Sequence, residues 1–368
     1  MAISRRATLG LVGGGVIVAA GAAMGGFALT RTPHRALAPW DRAGGYEDPR
    51  MRALSYAILA PNPHNRQPWE VDLNTPDTAI LWRDRTRDLP ETDPFDRQLT
   101  IGMGCFSELL AIAAGESGHA VDFDFFPDGE DGPVAVATFR DGGAADPLFA
   151  HVMARRSCKE PFGERLVMPE EAEALTGLAS VHLQTDLVDQ IRQIAWDAFK
   201  VEVTTYDKMK ESVDLFRMGK SEINANPDGI DLGGPFLESL MLVGMLTREG
   251  QLDPTTPEFA TGLEMYREMF DTTHAFISIV TDNNSRLDQI EAGRRWLRLN
   301  LTTTRLGLAL HPVSQALQEY EEVNSHYSAI HELLAEPGQT VQMLGRLGYG
   351  PATARTPRWA LETRLRNA

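Results

Sequence analysis

The run "LAPNPHNRQPWEV", Leu59–Val71, crowds three prolines, two asparagines, a histidine, an arginine and a tryptophan into one short stretch. Proline fixes φ and removes a backbone donor, so neither a helix interior nor a central strand can carry this run. It reads as a shaped loop. The amides of Asn62, Asn65 and Gln67, on a backbone held by Pro61, Pro63 and Pro68, suit the polar edge of a planar heterocycle. The plainer reading is a proline-rich turn capping a helix, with Trp69 in the core.

The flanking sequence places the loop. Asp48-Pro49 gives an N-cap with proline at the first helical position, and the apolar side of Met51, Leu54, Tyr56 and Ile58 predicts a helix that Pro61 stops. After the loop, "WEVDLNTPDTAILWRD" predicts a hairpin about an Asn-Thr-Pro-Asp turn. "GMGCFSELLAIAAGESGH" has helical spacing and closes near Gly115 and Gly118. "VDFDFFP" and "VAVATFR" alternate like strands on either side of "DGEDGP". The first half is therefore helix, hairpin, helix, hairpin, with no βαβ rhythm.

Around Ala150 the pattern restarts. "HVMARRSCKEPFGERL" reads as a helix ending in a loop, and Ile191 to Met218 as a long amphipathic region. "PFLESLMLVGMLTREG" and "EFATGLEMYREMF" predict helices, "AFISIVT" a buried strand and "VQMLGRLGYG" a last strand. The helix of each half can be laid over the other: Gly104 on Gly293, Gly118 on Gly307, Leu110 and Ile112 opposite Leu299 and Leu301. Such a duplication would make a pseudo-dimer within one chain, with a cleft where the halves meet.

Composition narrows the function. The chain has 368 residues, with 35 Lys and Arg against 51 Asp and Glu, a net charge of −16. That balance repels a phosphate backbone and argues against nucleic acid as a partner. Cys105 and Cys158 are too few for a disulfide framework and read as free thiols. The start of the chain, "MAISRRATLGLVGGGVIVAAGAAMGGFALTR", sets Arg5-Arg6 before an uncharged run from Ala7 to Thr30 that holds seven glycines. It resembles a twin-arginine export signal, with residues 1–38 outside the fold; the same run is also long enough to stay as a membrane anchor. The expected location is the periplasm or the inner membrane.

Several chemistries find no residues. No G-x-G-x-x-G follows a strand signal, no G-x-S-x-G elbow occurs, and no Cys-x-x-Cys or H-x-x-x-H pair is present. His326 and His331 lie five apart and share a helical face poorly, so no metal site is expected. What remains is cationic. Arg155, Arg156, Ser157 and Lys159 put three cations and a hydroxyl in five residues. Arg355 and Arg358 form a second cluster in "TARTPRWALETRL". Guanidinium forks suit phosphate, though a solvated face is the commoner meaning of a basic run.

Together these motifs carry a resemblance. "APNPHNRQPW" resembles the A-P-S-x-x-N-x-Q-P-W element of the nitroreductase-like flavoproteins, and "RRSCKEPF" is similar to their R-R-S-x-R-x-F. The order is the reverse of the usual one. That reversal, with "LWRDRTRDLPETDPFDRQLTIGMGCFSELL", "AGRRWLRLNLTTTRLGLALHPVSQAL" and "MLGRLGYGPATARTPRW", resembles the Acg-type branch, in which two nitroreductase-like halves are fused.

The resemblance implies an α+β fold of two similar halves, residues 39–150 and 151–368, each with a small mixed or antiparallel sheet flanked by helices. It implies one composite FMN site. Arg155, Arg156, Ser157 and Lys159 would hold the phosphate end, assisted by Arg355 and Arg358; Pro61, Asn62, Pro63, Asn65 and Gln67 would line the ring. Asn62 stands where the family has serine and Lys159 where it has arginine. The implied activity is two-electron reduction of a nitroaromatic, quinone or similar small acceptor, with NADH, NADPH or a membrane partner as electron donor. No side chain is singled out as a general acid, and His64 is the titratable group to watch. The alternative is a lidded FMN-binding protein with little turnover, the lid lying around 223–259 near Gly233-Gly234.

Overall fold

The structure is a computed structural model and describes residues 30–366. The Arg5-Arg6 pair and most of the uncharged run after it lie outside the described residues. In the first half, α1 (His34–Arg42) and α2 (Pro49–Ala57) precede β1 (Trp69–Asp72) and β2 (Thr78–Arg83), then α3 (Arg97–Glu116), β3 (His119–Phe125) and β4 (Ala135–Asp141). The second half begins with α4 (Pro169–Glu173), β5 (Ser180–His182), α5 (Thr185–Thr204) and α6 (Tyr206–Asp214). It continues with β6 (Phe216–Met218), α7 (Gly219–Ala225), β7 (Ile230–Leu232), α8 (Pro235–Leu242), α9 (Arg248–Leu252) and α10 (Pro257–Asp271). Then come β8 (Ala275–Thr281), α11 (Arg286–Leu306), β9 (Ala309–Pro312), α12 (Asn324–Leu334) and β10 (Thr340–Gly348).

The fold is α+β, with two four-stranded antiparallel sheets flanked by helices. The sheets repeat one topology. The first has the order β1-β2-β4-β3 and the second β5-β8-β10-β9, so each half sends a long helix between its second and third strands. They differ between the first two strands. β1 and β2 are joined by residues 73–77, whereas β5 and β8 are separated by residues 183–274, which contain the two-stranded parallel pair β6-β7 and most of the second half's helices.

Local rules explain most of the first half. Asp48 caps α2 through Arg50 N and Met51 N, with Pro49 at the first helical position, and the hairpin pairs Trp69 with Arg83. The arginine motif departs from expectation. "HVMARRSCKEPFGERL" is not a helix: a 3₁₀ turn over Pro147–His151 ends at Val152, and the chain then runs irregularly to α4. Cys158 N donates to Leu310 O at 3.0 Å, so the segment lies along the edge of β9, and Pro161 and Gly163 disfavour a helix beyond it. The long region from Ile191 divides into α5, α6 and β6.

The two long helices cross at the glycines that the sequence overlay pairs. A Cβ on Gly104 would sit 2.2 Å from Ile290 O, and one on Gly293 would sit 2.0 Å from Ile101 O. Each glycine faces a carbonyl three residues before the other, so the crossing is reciprocal. Cys105 Sγ donates to Gly293 O at 3.1 Å across it. Arg97, buried at the start of α3, donates to Gln342 O at 2.7 Å and Leu317 O at 2.6 Å and so ties the first half's helix to the second half. One continuous apolar core, including Trp69, Phe106, Leu110, Ile277, Trp296 and Leu299, takes residues from both sheets and both long helices. Among the described residues one helix, α3, is long and apolar enough to cross a membrane, and it is this buried core helix.

The expected boundary at residue 38 falls inside α1. Ala36, Pro39 and Trp40 are buried there, and Trp40 Nε1 donates to Thr356 O at 2.8 Å.

Candidate functional site

After α2 ends, the loop makes an unusual turn. His64, Asn65 and Gln67 have φ of +46°, +51° and +50°. Left-handed backbone costs a residue other than glycine about 1–2 kcal/mol, least for asparagine. Such strain persists only where the surroundings over-determine it. Here they do. Gln67 N donates to Asn62 Oδ1 at 2.7 Å, Arg66 N donates to Pro63 O at 3.0 Å, and Asn62 Nδ2 donates to Ala60 O at 3.1 Å. Gly102 of α3 seats the loop, since a Cβ there would lie 3.2 Å from Asn62 Cβ and 3.3 Å from Pro63 Cδ. Trp69 is core, its ring 4.9 Å from that of Phe106.

The fold brings both basic clusters to this loop. Arg155 is buried and donates to Leu59 O at 3.0 Å and to Asn300 Oδ1 at 3.3 Å. Arg358, also buried, donates to Leu59 O and Ala60 O at 3.1 Å each, and to Asn65 Oδ1 at 2.7 Å. Asn65 Nδ2 in turn donates to Pro357 O at 3.1 Å. Arg156 is half-buried and stacks 4.7 Å from the Trp40 ring centre, with Arg355 at 5.6 Å and Arg358 at 5.9 Å from the same ring. Ser157 is half-buried and Lys159 exposed, close enough to His64, His311 and Asp231 to bias their titration.

Crowding of like charge is legible in the proton equilibria. Burial, then Arg156, pushes Arg155 down to about 10. Burial, then Arg155, pushes Arg358 down to about 9. Burial and the charge of Arg355 lower Arg156. Asp41, paired with Arg355 at 2.7 Å, and Asp231, which opposes the lowering at Arg358, partly offset the cluster. His64 is pushed down to about 4, first by burial and then by Lys159 and Arg66, so it is neutral at ordinary pH.

Several polar atoms here have no partner. Arg156 Nε, Arg358 Nε, Asn300 Nδ2 and His64 Nδ1 are buried without a hydrogen bond. An orphaned buried donor costs about 1–3 kcal/mol, so a set of them marks where an anion or a polar group would be stabilised. The donors of Arg156, Arg358 and Asn300 fit the phosphate end of a flavin nucleotide, and His64 Nδ1 adds a donor or an acceptor according to its tautomer. The amides are a different matter. Gln67, fully buried, donates to Pro227 O at 2.7 Å and accepts from Trp359 N at 2.9 Å; Asn62 and Asn65 are committed to the bonds above. They shape the loop and hold its neighbours.

Pro227 and Gly229, from the segment expected to form a lid, contact the loop. Gly229 N donates to Asn65 O at 3.3 Å, and Asp228 pairs with Arg87 at 2.8 Å, Arg217 at 2.9 Å and Arg66 at 3.5 Å. Asp231 faces Lys159 and Arg358, and burial raises its carboxyl above the usual range. Sequence reasoning missed Trp40, Asn300, Asp228 and Asp231. Of these only Asn300 lies in a stretch that carries the resemblance, and nothing there set it apart. Among the described residues no cluster of His, Cys, Asp and Glu could hold a metal ion, and both cysteines are buried and free.

The duplicated α+β topology is shared by a chain whose curated sequence relatives carry nitroreductase designations. No family model matches the chain. Over 319 residues it is 25% identical to "Putative NAD(P)H nitroreductase Rv3131" of Mycobacterium tuberculosis, covering 82% of this chain and 85% of that protein. It is 22% identical over 312 residues to acg of the same organism, which bears the same nitroreductase designation, covering 83% and 90% respectively. Among solved structures it is similar to "a putative nitroreductase" from Anabaena variabilis, at 12% identity and a TM-score of 0.40 over 80% of this chain and 82% of that one. It is also similar to the FMN-dependent nitroreductase NfnB of Mycobacterium smegmatis in complex with NADPH, at 16% identity and a TM-score of 0.38 over 60% and 98%.

Proposed function

We propose that this chain is an FMN-dependent oxidoreductase that carries out two-electron reduction of a small acceptor, a nitroaromatic, a quinone or a similar molecule. The observation that carries the reading is the convergence of the amide loop and two distant basic clusters, with Arg155 and Arg358 both donating to Leu59 O. Bound FMN supplies hydride acceptance and donation at its ring. The residues of this chain bind and orient. Arg156, Ser157 and Lys159 offer the donors nearest to solvent for the phosphate, with Arg355 beside them. Arg155 and Arg358 lock the Leu59–Gln67 loop, and His64, neutral at ordinary pH, offers a nitrogen without adding charge. The cationic surroundings favour an anionic cofactor at this place.

A second reading is favoured by the cover. With Gln67 bonded to Pro227, Asn65 to Gly229, and Asp231 facing the cations, the chain would hold FMN behind a closed segment with little turnover. The electron donor is NADH or NADPH in the first reading. If the protein is exported to the periplasm or held at the inner membrane, the donor is a membrane partner, because nicotinamides are cytoplasmic. The absorbance spectrum of purified full-length protein before and after NADPH addition separates the readings. A yellow protein that bleaches is an enzyme, a yellow protein that does not is the closed form, and a colourless protein with no releasable FMN sinks both. Arg156→Ala and Lys159→Ala should each lower the FMN content.

A further inference from the structure

We infer that the exposed apolar face of α8 is a bilayer-docking surface, set beside the point at which the uncharged N-terminal run joins the fold. Phe236 is 68% exposed, Leu242 75%, Val243 67% and Met245 62%, large apolar side chains left in water within ten residues. At 100° per residue, Phe236, Leu240 and Val243 share one side of the helix. Glu238 lies on the other side and is only 8% exposed. It accepts from Lys220 N at 3.1 Å and pairs with Arg31 at 3.1 Å, so the polar side is fixed to the body and the apolar side turns outward.

What covers that face follows from where the chain comes in. From Ala7 to Thr30 the sequence has no charge, a run longer than the about 20 residues that a bilayer core requires. Its last residue is held at the Glu238 side of the same helix: Lys220 Nζ donates to Thr30 O at 2.8 Å, and Arg31, the next residue, is the partner of Glu238. A bilayer holding the run therefore lies beside α8. Arg31 and Lys220 lie beside the helix at this point, as cations flank an interfacial helix. Elsewhere the net charge of −16 keeps the body off an anionic surface, which makes the orientation specific.

The test uses the full chain in vesicles of phosphatidylethanolamine and phosphatidylglycerol. Because Cys105 and Cys158 are both buried, Val243→Cys can be labelled selectively with a polarity-sensitive fluorophore. Leu287→Cys, at a position 57% exposed on α11, is the control. With vesicles, quenching by aqueous iodide should fall several-fold at position 243 and stay unchanged at 287, while lipids brominated on their acyl chains should quench 243 alone. Equal iodide quenching at both positions overturns the proposal. So does shielding from iodide at 243 without quenching by brominated lipid, which would mean that a second copy or another protein segment covers the face.

Discussion

The two halves share a sheet topology and differ in two connections. Between helix and first strand, the first half has the strained loop 58–68, whereas the second joins α4 to β5 through residues 174–179, where Gly177 takes the one left-handed position. Between the first two strands the first half turns within residues 73–77, while the second inserts residues 183–274. One frame has thus been specialised twice, by conformation in one half and by insertion in the other. The strained loop of the first half is held by the arginines and covered by the insertion of the second.

The largest effect should come from the shared frame. Gly104→Val or Gly293→Val would put a side chain onto the backbone carbonyl of the facing helix, and should cost about 3 kcal/mol or more, read as a lost or shifted urea unfolding transition. A stable variant would show that the halves are not held at this crossing. Next is the cover. Asp228→Ala takes the carboxylate partner from Arg66 and Arg217 and leaves Arg87 only Asp84, and breaking such a buried pair costs about 3–5 kcal/mol. The same variant should speed NADPH bleaching of bound flavin; slower unfolding or unchanged bleaching would separate the insertion from any gating role.

The two helix-to-strand connections can be compared directly. Asn65→Ala forces alanine into a left-handed conformation, should cost about 1–3 kcal/mol, and should lower flavin content. Thr176→Ala, exposed in the matching connection, should stay within about 0.5 kcal/mol. The smallest effect is in pH. The folded His64 titrates near 4 and an unfolded histidine near 6.5, so the stability from neutral His64 is complete above about pH 6.5 and is lost as pH falls towards 4. His64→Asn tolerates the backbone and should flatten that slope in urea unfolding between pH 4.5 and 7. His182, His311 and His331, pushed the same way, keep their own share.

Much of this was legible because local rules dominate where the chain is regular. The Asp48-Pro49 cap, the hairpin at Trp69 and the buried strands each carry their own signal, and the Gly104 and Gly293 pairing was readable as periodic glycine. The arginine motif misled, because its helical spacing competes with pairing to the β9 edge, a tertiary contact that no local window contains. The amides of Asn62, Asn65 and Gln67 were read as a polar lining, and their bonds to Ala60, Pro227, Pro357 and the loop itself were not foreseen. Residue type foretold polarity there, but not direction. Asp228 and Asp231 gave no sign, since an acid in a glycine- and proline-rich stretch looks like any surface residue until its partners are known.

The crossing of α3 and α11 also bears on how such a chain can change. Gly104 meets a carbonyl beside Gly293, and Gly293 one beside Gly104, so neither obstacle is a side chain that a second substitution could shrink. Compensation between the two positions is closed off. A lineage that has once drawn two backbones this close can vary its sheets, loops and insertion freely, but each glycine must be kept independently of what happens to the other.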